Sequence, residues 1–209
     1  MRVSLIGMAN IGKTHLSRLM ADALGYAPVD CDALIEQRLA SELAKGGFRG
    51  IGGVAEWMGL PFAPQYKQNS ALYIACEQAV MREIIDGLRR DQNSSAVIDT
   101  TGSVIYMEPD ILEGVRAATR VVYLEASEEH TAELFKNYIA TPKPVFWGES
   151  FAPLAGETPQ ETLRRCYPEL LRYRARRYRE IAHVTIPYEQ HQNRKADVCD
   201  LILKQIAPL

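Results

Sequence analysis

Short, almost continuous apolar runs alternate along this chain with longer segments whose apolar residues recur every three to four positions. The short runs are typical of buried β-strands, and the longer segments are typical of amphipathic helices. The pattern predicts strands at residues 3–7, 26–30, 95–99, 119–124 and 184–186, and helices at 13–24, 33–44, 67–90, 109–118, 127–138, 159–181 and 196–206. This order predicts an α/β fold of three layers, in which helices cover both faces of a five-stranded parallel sheet.

The composition is that of an ordinary globular protein. The 209 residues, 47% hydrophobic and 24% charged, fit a single domain spanning 1–209. A formal net charge of −2 argues against a general binder of nucleic acid or membrane surfaces, because such proteins usually carry a basic excess. We find no apolar run of membrane-spanning length and no signal-peptide pattern. We therefore expect a cytoplasmic protein without nucleic-acid or membrane partners.

The first predicted strand leads into a glycine-rich turn that matches the pattern G-x-x-x-x-G-K-[ST]. Its glycines permit a tight turn that brings backbone N–H groups close to phosphate oxygens, and the N-terminus of the next helix favours the same anion. The lysine can reach the outer phosphates, and the threonine hydroxyl can bind Mg²⁺. The predicted nucleotide-binding residues are Gly7, Asn10, Ile11, Gly12, Lys13 and Thr14.

Carboxylates follow two other predicted strands. Asp30 and Asp32 stand at the end of the second strand, and Asp99 ends the third, just before a turn of small residues at 100–103. Ligands of open α/β sheets bind beyond the carboxyl ends of the strands. One carboxylate of the first pair could therefore hold Mg²⁺ and the other a substrate hydroxyl, with helix capping by Asp32 as the alternative. Asp99 is placed to orient Mg²⁺ or its waters.

Two segments interrupt the periodic pattern. Residues 46–66 start with five glycines between 46 and 53 and are predicted to form a substrate-side insertion, with a flexible linker as the alternative. Residues 141–158 are rich in proline and aromatic residues and are predicted to form a lid over the nucleotide, with a packed surface loop as the alternative. The helix that follows carries seven arginines. Most of them fit a solvated face, and one or two could bind phosphate or carboxylate bidentately.

Together these features resemble the shikimate kinase family of small P-loop kinases. The similar features are the turn at 7–14, the Asp30-x-Asp32 pair, the small-residue turn, a lid near residue 142, and Arg174 followed by Tyr178 and a short strand. The resemblance implies a P-loop NTPase fold with the strand order 2-3-1-4-5.

The same resemblance implies roles for individual residues. Lys13 and Thr14 would serve ATP and Mg²⁺, and Asp30 would support the metal. Asp32 would bind and orient the accepting hydroxyl, and Arg174 would contact an anionic group of the substrate. The cofactors predicted in this way are ATP and Mg²⁺.

The chain departs from the family pattern in three places. The substrate signature Phe-Arg-x-x-Glu is present as Phe48-Arg49, but Gly52 stands at the glutamate position. The Gly-Gly-Gly substrate turn reads Thr-Gly-Ser here, centred on Gly102. We keep Arg49 and Gly102 as candidate substrate-binding residues.

The third departure concerns the lid, where the family's Arg-Pro pair reads Thr141-Pro142. The next cation along the chain is Lys143. Lys143 is therefore the candidate lid cation.

We expect an ATP-dependent kinase that transfers the γ-phosphoryl group to a hydroxyl of a small, anionic metabolite. Such transfer depends mainly on positioning and charge stabilisation. Lys13, Mg²⁺ and Lys143 would neutralise charge on the transferring group, and Asp32 would hold the acceptor. The alternatives are a kinase for a sugar acid, nucleoside or nucleotide, a non-catalytic nucleotide-binding regulator, and an ATPase module of a larger assembly. The sequence carries no signal for an oligomeric state.

Overall fold

The computed structural model describes residues 1–140, 143–192 and 196–206. The strands are β1 (Arg2–Gly7), β2 (Ala27–Asp30), β3 (Ala96–Asp99), β4 (Arg120–Leu124) and β5 (Val184–Ile186). All pair in parallel and lie in the order β2-β3-β1-β4-β5. The predicted α/β fold and its strand order 2-3-1-4-5 are confirmed.

The helices follow the predicted alternation with the strands. They are α1 (Lys13–Leu24), α2 (Cys31–Arg38), α3 (Ala40–Lys45), α4 (Gly50–Met58), α5 (Tyr66–Arg90), α6 (Pro109–Ala118), α7 (Glu128–Ala140), α8 (Pro159–Ile181), α9 (Tyr188–His191) and α10 (Ala196–Ile206). A single 3₁₀ turn at Val104–Tyr106 follows β3. Among the described residues, none of the helices is both long and apolar enough to cross a bilayer.

The centre of the sheet forms the core because its strands carry apolar residues on both faces. Val3, Leu5 and Ile6 of β1 are fully buried, as are Val121 and Val122 of β4. Burial on both sides is usual for parallel strands that helices cover, and each such side chain contributes about 1.5–3 kcal/mol. This rigid centre ends in the turn at the start of α1.

The predicted helix at 33–44 is wrong in its bounds, because the segment forms α2 and α3. The Oδ1 atom of Asp30 accepts a hydrogen bond from the Ala33 backbone N–H at 3.0 Å, so Asp30 is the N-cap and α2 begins at Cys31. Leu39, with ψ near 0°, ends α2 and starts α3.

The glycine-rich stretch is more regular than predicted, because α4 begins within it at Gly50. A Cβ on Gly53 would stand 3.0 Å from the carbonyl carbon of Phe48. The glycine therefore permits close packing of α4 against the preceding turn, and Trp57 and Met58 are buried at the helix end. The flexible-linker alternative does not describe this stretch, and the assignment of 46–66 as a substrate-side insertion stays a prediction.

The predicted lid has no helix or strand in its described part, residues 143–158. Trp147 is fully buried there, and its Nε1–H donates to the Tyr138 hydroxyl of α7 at 3.2 Å. Arg165 of α8 donates to the Ala152 carbonyl at 2.7 Å. This part of the segment thus packs as the surface-loop alternative describes. Thr141 and Pro142 lie outside the described residues, and the lid itself stays a prediction.

Helix α8 starts with a capping box that fixes the end of this segment. The Thr158 hydroxyl accepts from the Glu161 N–H at 3.3 Å, and the Glu161 carboxylate accepts from the Thr158 N–H at 2.8 Å. We expect Thr158→Ala to lower the free energy of unfolding by about 1 kcal/mol, because the N–H of Glu161 loses its partner. Thr158→Ser, which keeps the hydroxyl, is the control. Equal urea midpoints for the alanine variant and the wild type would contradict this role of the cap.

Candidate active site

The turn between β1 and α1 has the backbone of a phosphate-binding loop. Gly7 has a φ of 149°, and a Cβ on it would stand 2.7 Å from the Leu124 carbonyl oxygen of β4. Asn10 and Gly12 also have positive φ values, 66° and 109°. Ile11 is buried and holds the turn against the core. Gly12 caps α1 without any side-chain hydrogen bond from the described residues, so the first N–H groups of α1 are available to an anion.

Lys13 lies across this turn. Its Nζ donates to the carbonyl oxygens of Gly7 at 3.1 Å and Met8 at 3.0 Å, and its side chain is only 7% exposed. Burial lowers the pKa of the Lys13 ammonium, while the carboxylates of Asp99 and Asp32 act in the opposite direction. A phosphate group would add negative charge beside this buried cation.

A cavity of about 490 Å³ lies beside the turn. Eight of the predicted site residues line it: Asn10, Gly12, Lys13, Thr14, Asp32, Asp99, Gly102 and Lys143. The structure therefore brings together the turn, the ends of two strands and the start of segment 143–158. Five predicted residues are not part of the lining: Gly7, Ile11, Asp30, Arg49 and Arg174.

Thr14 and Asp99 form the part of the cavity that suits a metal ion. The Thr14 hydroxyl hydrogen-bonds to the Asp99 carboxylate. Burial raises the pKa of Asp99, and the charge of Lys13 opposes that effect. The Oδ1 atom of Asp99 is buried without a hydrogen-bond partner among the described residues. An oxygen pair of this kind fits Mg²⁺, which takes one or two protein oxygens together with phosphate oxygens and water.

Asp30 and Asp32 have different positions from those that strand alternation predicted. β2 ends at Asp30, whose carboxylate caps α2, and Asp32 lies in the first turn of that helix. The capping alternative considered for Asp32 therefore applies to Asp30 instead. Only Asp32 reaches the cavity.

The carboxyl group of Asp32 has a raised pKa. Burial raises its pKa from 3.8 to about 6, with Lys13 and Lys143 acting against burial and Asp99 acting with it. Asp32 is therefore ionised at neutral pH and can accept a hydrogen bond from a hydroxyl.

Arg174 lies directly behind Gly102. A Cβ on Gly102 would stand 3.2 Å from the Arg174 Nη1 atom and 3.3 Å from the Ala9 backbone nitrogen. The guanidinium is 3% exposed, lies 5.6 Å from the centre of the Tyr106 ring, and donates through Nη2 to the Phe146 carbonyl at 2.6 Å. Gly102 thus lets three parts of the chain approach each other closely.

The two other candidate cations lie in different environments. Lys143 lines the cavity, and its charge acts on the pKa values of Lys13, Asp32 and Asp99. Arg49 is exposed at the N-cap of α4 and is not in the lining. Its role in substrate binding stays a prediction.

Sequence reasoning missed two residues of α5, Tyr73 and Glu77. Tyr73 lines the cavity and is 1% exposed. Glu77 is also 1% exposed, and its Oε1 accepts a hydrogen bond from the Thr101 hydroxyl. The Oε2 atom of Glu77 has no partner among the described residues, and burial raises the pKa of Glu77 to about 8. The available signal was a glutamate within the buried stripe of Tyr73, Glu77 and Val80.

Five other lining residues were not predicted as site residues: Ala9, His15, Arg18, Asn137 and Pro144. His15 and Arg18 follow the lysine of the turn at a spacing of two and five residues, which places them on α1 next to the cavity. Asn137 comes from α7, and its sequence context carries no comparable signal.

The chain is similar in sequence and in fold to several shikimate kinases. The chain is 27% identical over 201 residues to a shikimate kinase of Dehalococcoides mccartyi, covering 96% of this chain and 90% of the relative. It is 26% identical to the solved shikimate kinase of Acinetobacter baumannii in complex with shikimate, with a TM-score of 0.63 and coverage of 98% and 92%. The shikimate kinase of Bacteroides thetaiotaomicron, 19% identical with a TM-score of 0.64 and coverage of 98% and 97%, shares the fold. No family model matches the chain.

Similarity of this extent confirms the resemblance to the shikimate kinase family of small P-loop kinases, and it confirms the P-loop NTPase fold. Both the sequence match and the structural match run over nearly the whole chain. The resemblance therefore does not rest on the phosphate-binding turn alone.

The buried carboxyl group of Glu77 should make the stability of the fold depend on pH. Because its pKa in the folded protein, about 8, is above the ordinary value of 4.5, folding favours the protonated form and stability is lost as the pH rises between these values. We expect Glu77→Gln to be more stable than the wild type at pH 9 and to differ less at pH 5. Thermal unfolding at the two pH values measures this. A difference that does not change with pH would contradict the assignment.

Proposed function

We propose that this chain is an ATP-dependent kinase that transfers the γ-phosphoryl group to a hydroxyl of a small metabolite, with shikimate as the first acceptor to test. The observation that carries this proposal is that Lys13 and Thr14 of the phosphate-binding turn share one cavity with the partly buried carboxylate of Asp32. Residues that can bind the phosphates of a donor thus share one cavity with a residue that can bind the hydroxyl of an acceptor. The curated relatives are shikimate kinases, and one solved relative holds shikimate.

The donor side of the reaction belongs to the turn and α1. The turn's N–H groups and Lys13 would bind the β- and γ-phosphates of ATP. Thr14 and Asp99 would hold Mg²⁺, which neutralises charge on the phosphate oxygens when bound. The partnerless Oδ1 of Asp99 supports this assignment.

The acceptor side belongs to Asp32 and its surroundings. Asp32 would accept the hydrogen bond of the acceptor hydroxyl, orient its oxygen towards the γ-phosphorus and take up the proton as the new P–O bond forms. The bond from that phosphorus to the β–γ bridging oxygen breaks in the same step, and ADP leaves. Lys13 and Lys143 would stabilise the charge on the transferring group. Arg174 keeps its predicted role of binding an anionic group of the acceptor, which would require the guanidinium, now behind Gly102, to reach the cavity.

A turnover screen tests the proposal. Purified protein with ATP and Mg²⁺ is offered shikimate, sugar acids, nucleosides and nucleotides, and release of ADP is followed. Transfer to at least one hydroxyl acceptor is expected. Binding of ATP without transfer to any of them would favour a nucleotide-binding regulator. The cytoplasmic location and the absence of nucleic-acid and membrane partners stay predictions.

Substitution of Lys13 tests its role in phosphoryl transfer. We expect Lys13→Ala to reduce kcat on the order of 100-fold or more, because the transferring phosphoryl group loses a preorganised cation. Lys45→Ala is the matched control, since Lys45 is exposed at the end of α3 and pairs with Glu42. The circular dichroism of both variants should equal that of the wild type. A Lys13 variant with wild-type turnover would remove the proposed mechanism.

The pH dependence of kcat/KM tests the ionisation of Asp32. Because the carboxyl must be ionised to accept the hydrogen bond and its pKa is about 6, kcat/KM should fall with a slope of one as the pH drops below about 6. The measurement is the pH profile of kcat/KM between pH 4.5 and 8. A profile that stays flat down to pH 5 would contradict the role of Asp32.

A further inference from the structure

Three consecutive residues of segment 143–158 are held by side chains from other elements. The Tyr66 hydroxyl donates to the Val145 carbonyl at 3.1 Å and accepts from the Trp147 N–H at 2.8 Å. Arg174 donates to the carbonyl of the residue between them, Phe146, at 2.6 Å. We call residues 145–147 the anchor. The Tyr66 hydroxyl bridges both of its ends.

The anchor lies in the interior, where its hydrogen bonds are hard to replace. Trp147 is fully buried, and Tyr66 and Val145 are also buried. Burial raises the pKa of the Tyr66 hydroxyl, which therefore stays protonated and can donate and accept at the same time. Without this hydroxyl, one N–H and one carbonyl group would be left in the interior without a partner.

The anchor is directly connected to the catalytic cavity. Lys143 and Pro144 both line the cavity, and Val145 follows them in the chain. The ring of Pro144 fixes its φ angle, so little backbone freedom separates Lys143 from the anchor. The position of the anchor therefore sets the position of the Lys143 backbone.

We infer that Tyr66 is a positioning residue of the kinase, which holds Lys143 at the phosphoryl-transfer site by bridging Val145 and Trp147. This inference rests on the proposed function, in which Lys143 stabilises charge on the transferring group. Tyr66 is the first residue of α5, and Tyr73 of the same helix lines the cavity. Helix α5 thus lines the cavity through Tyr73 and positions Lys143 through Tyr66.

Tyr66→Phe tests the inference, because it removes the bridging hydroxyl and keeps the ring. The matched control is Tyr167→Phe. Tyr167 is buried in the same aromatic cluster, with its ring centroid 5.8 Å from that of Trp147, but its hydroxyl donates to the Leu134 carbonyl at 3.4 Å. The control therefore loses a buried hydroxyl without a change at the anchor.

Hydrogen exchange of the nucleotide-free protein is the first measurement. In Tyr66→Phe, the amide of Trp147 should exchange faster on the order of tenfold, because it has lost its acceptor. The same amide should exchange at the wild-type rate in Tyr167→Phe. Unchanged exchange in Tyr66→Phe, or equal acceleration in both variants, would overturn the bridge.

A double-mutant cycle on kcat is the second measurement, with ATP, Mg²⁺ and shikimate or another acceptor that the screen identifies. Tyr66→Phe alone should lower kcat on the order of tenfold and change the KM for ATP by less than about twofold, because small displacements of a catalytic group are costly. In a Lys143→Met background, Tyr66→Phe should cause no further loss, since Tyr66 acts through Lys143.

A full tenfold loss in the Lys143→Met background would show a general structural effect and overturn the inference while leaving the proposed function intact. A wild-type protein that transfers phosphate to none of the acceptors would overturn the proposed function, and this inference with it. The two failures are therefore distinguishable.

Discussion

The close approach of Gly7 to the Leu124 carbonyl is the constraint on which the site depends. β1 and β4 are neighbours in the sheet, and the chain leaves β1 at a residue whose Cβ would stand 2.7 Å from that oxygen. The glycine permits the φ of 149° at which the turn begins. The turn then places Lys13 across the carbonyls of Gly7 and Met8 and leads into α1. The packing of β1 against β4 thus determines where a phosphate group would bind.

Opposite charges lie close together in the cavity. Lys13, Lys143, Asp32 and Asp99 all line it, and each lysine opposes the effect of burial on the two carboxyl groups. Unpaired charges in such a place would be strongly destabilising. Arg18 adds a third cation to the lining, so the site carries an excess of positive charge that suits an anionic ligand.

The sequence predicted the sheet and the glycine turn after β1 well, because both are encoded by contiguous patterns. A strand, a glycine turn and a helix in succession leave few possible structures for residues 2–24. The errors arose where the outcome depended on one backbone step or on tertiary packing. β2 ends at Asp30, which caps α2, so Asp32 lies in a helix and the strand alternation that was predicted for it does not apply. Tyr73 was missed because a helical pattern does not show which buried positions of a 25-residue helix face a cavity.

The two sides of the cavity consequently differ in how the chain specifies them. On the proposed donor side, the turn and Lys13 come from one short stretch that only Asp99 of β3 joins, whereas Asp32, Tyr73, Gly102 and Lys143 reach the cavity from four separate parts of the chain. A change of one residue in α5 or in segment 143–158 can alter the acceptor side without disturbing the turn. Long-range contacts such as the bridge from Tyr66 therefore matter more on that side, because no local motif holds its residues in place. This division explains why the motif alone indicates a nucleotide but not an acceptor, and why the acceptor is best sought through the residues that tertiary packing brings to the cavity.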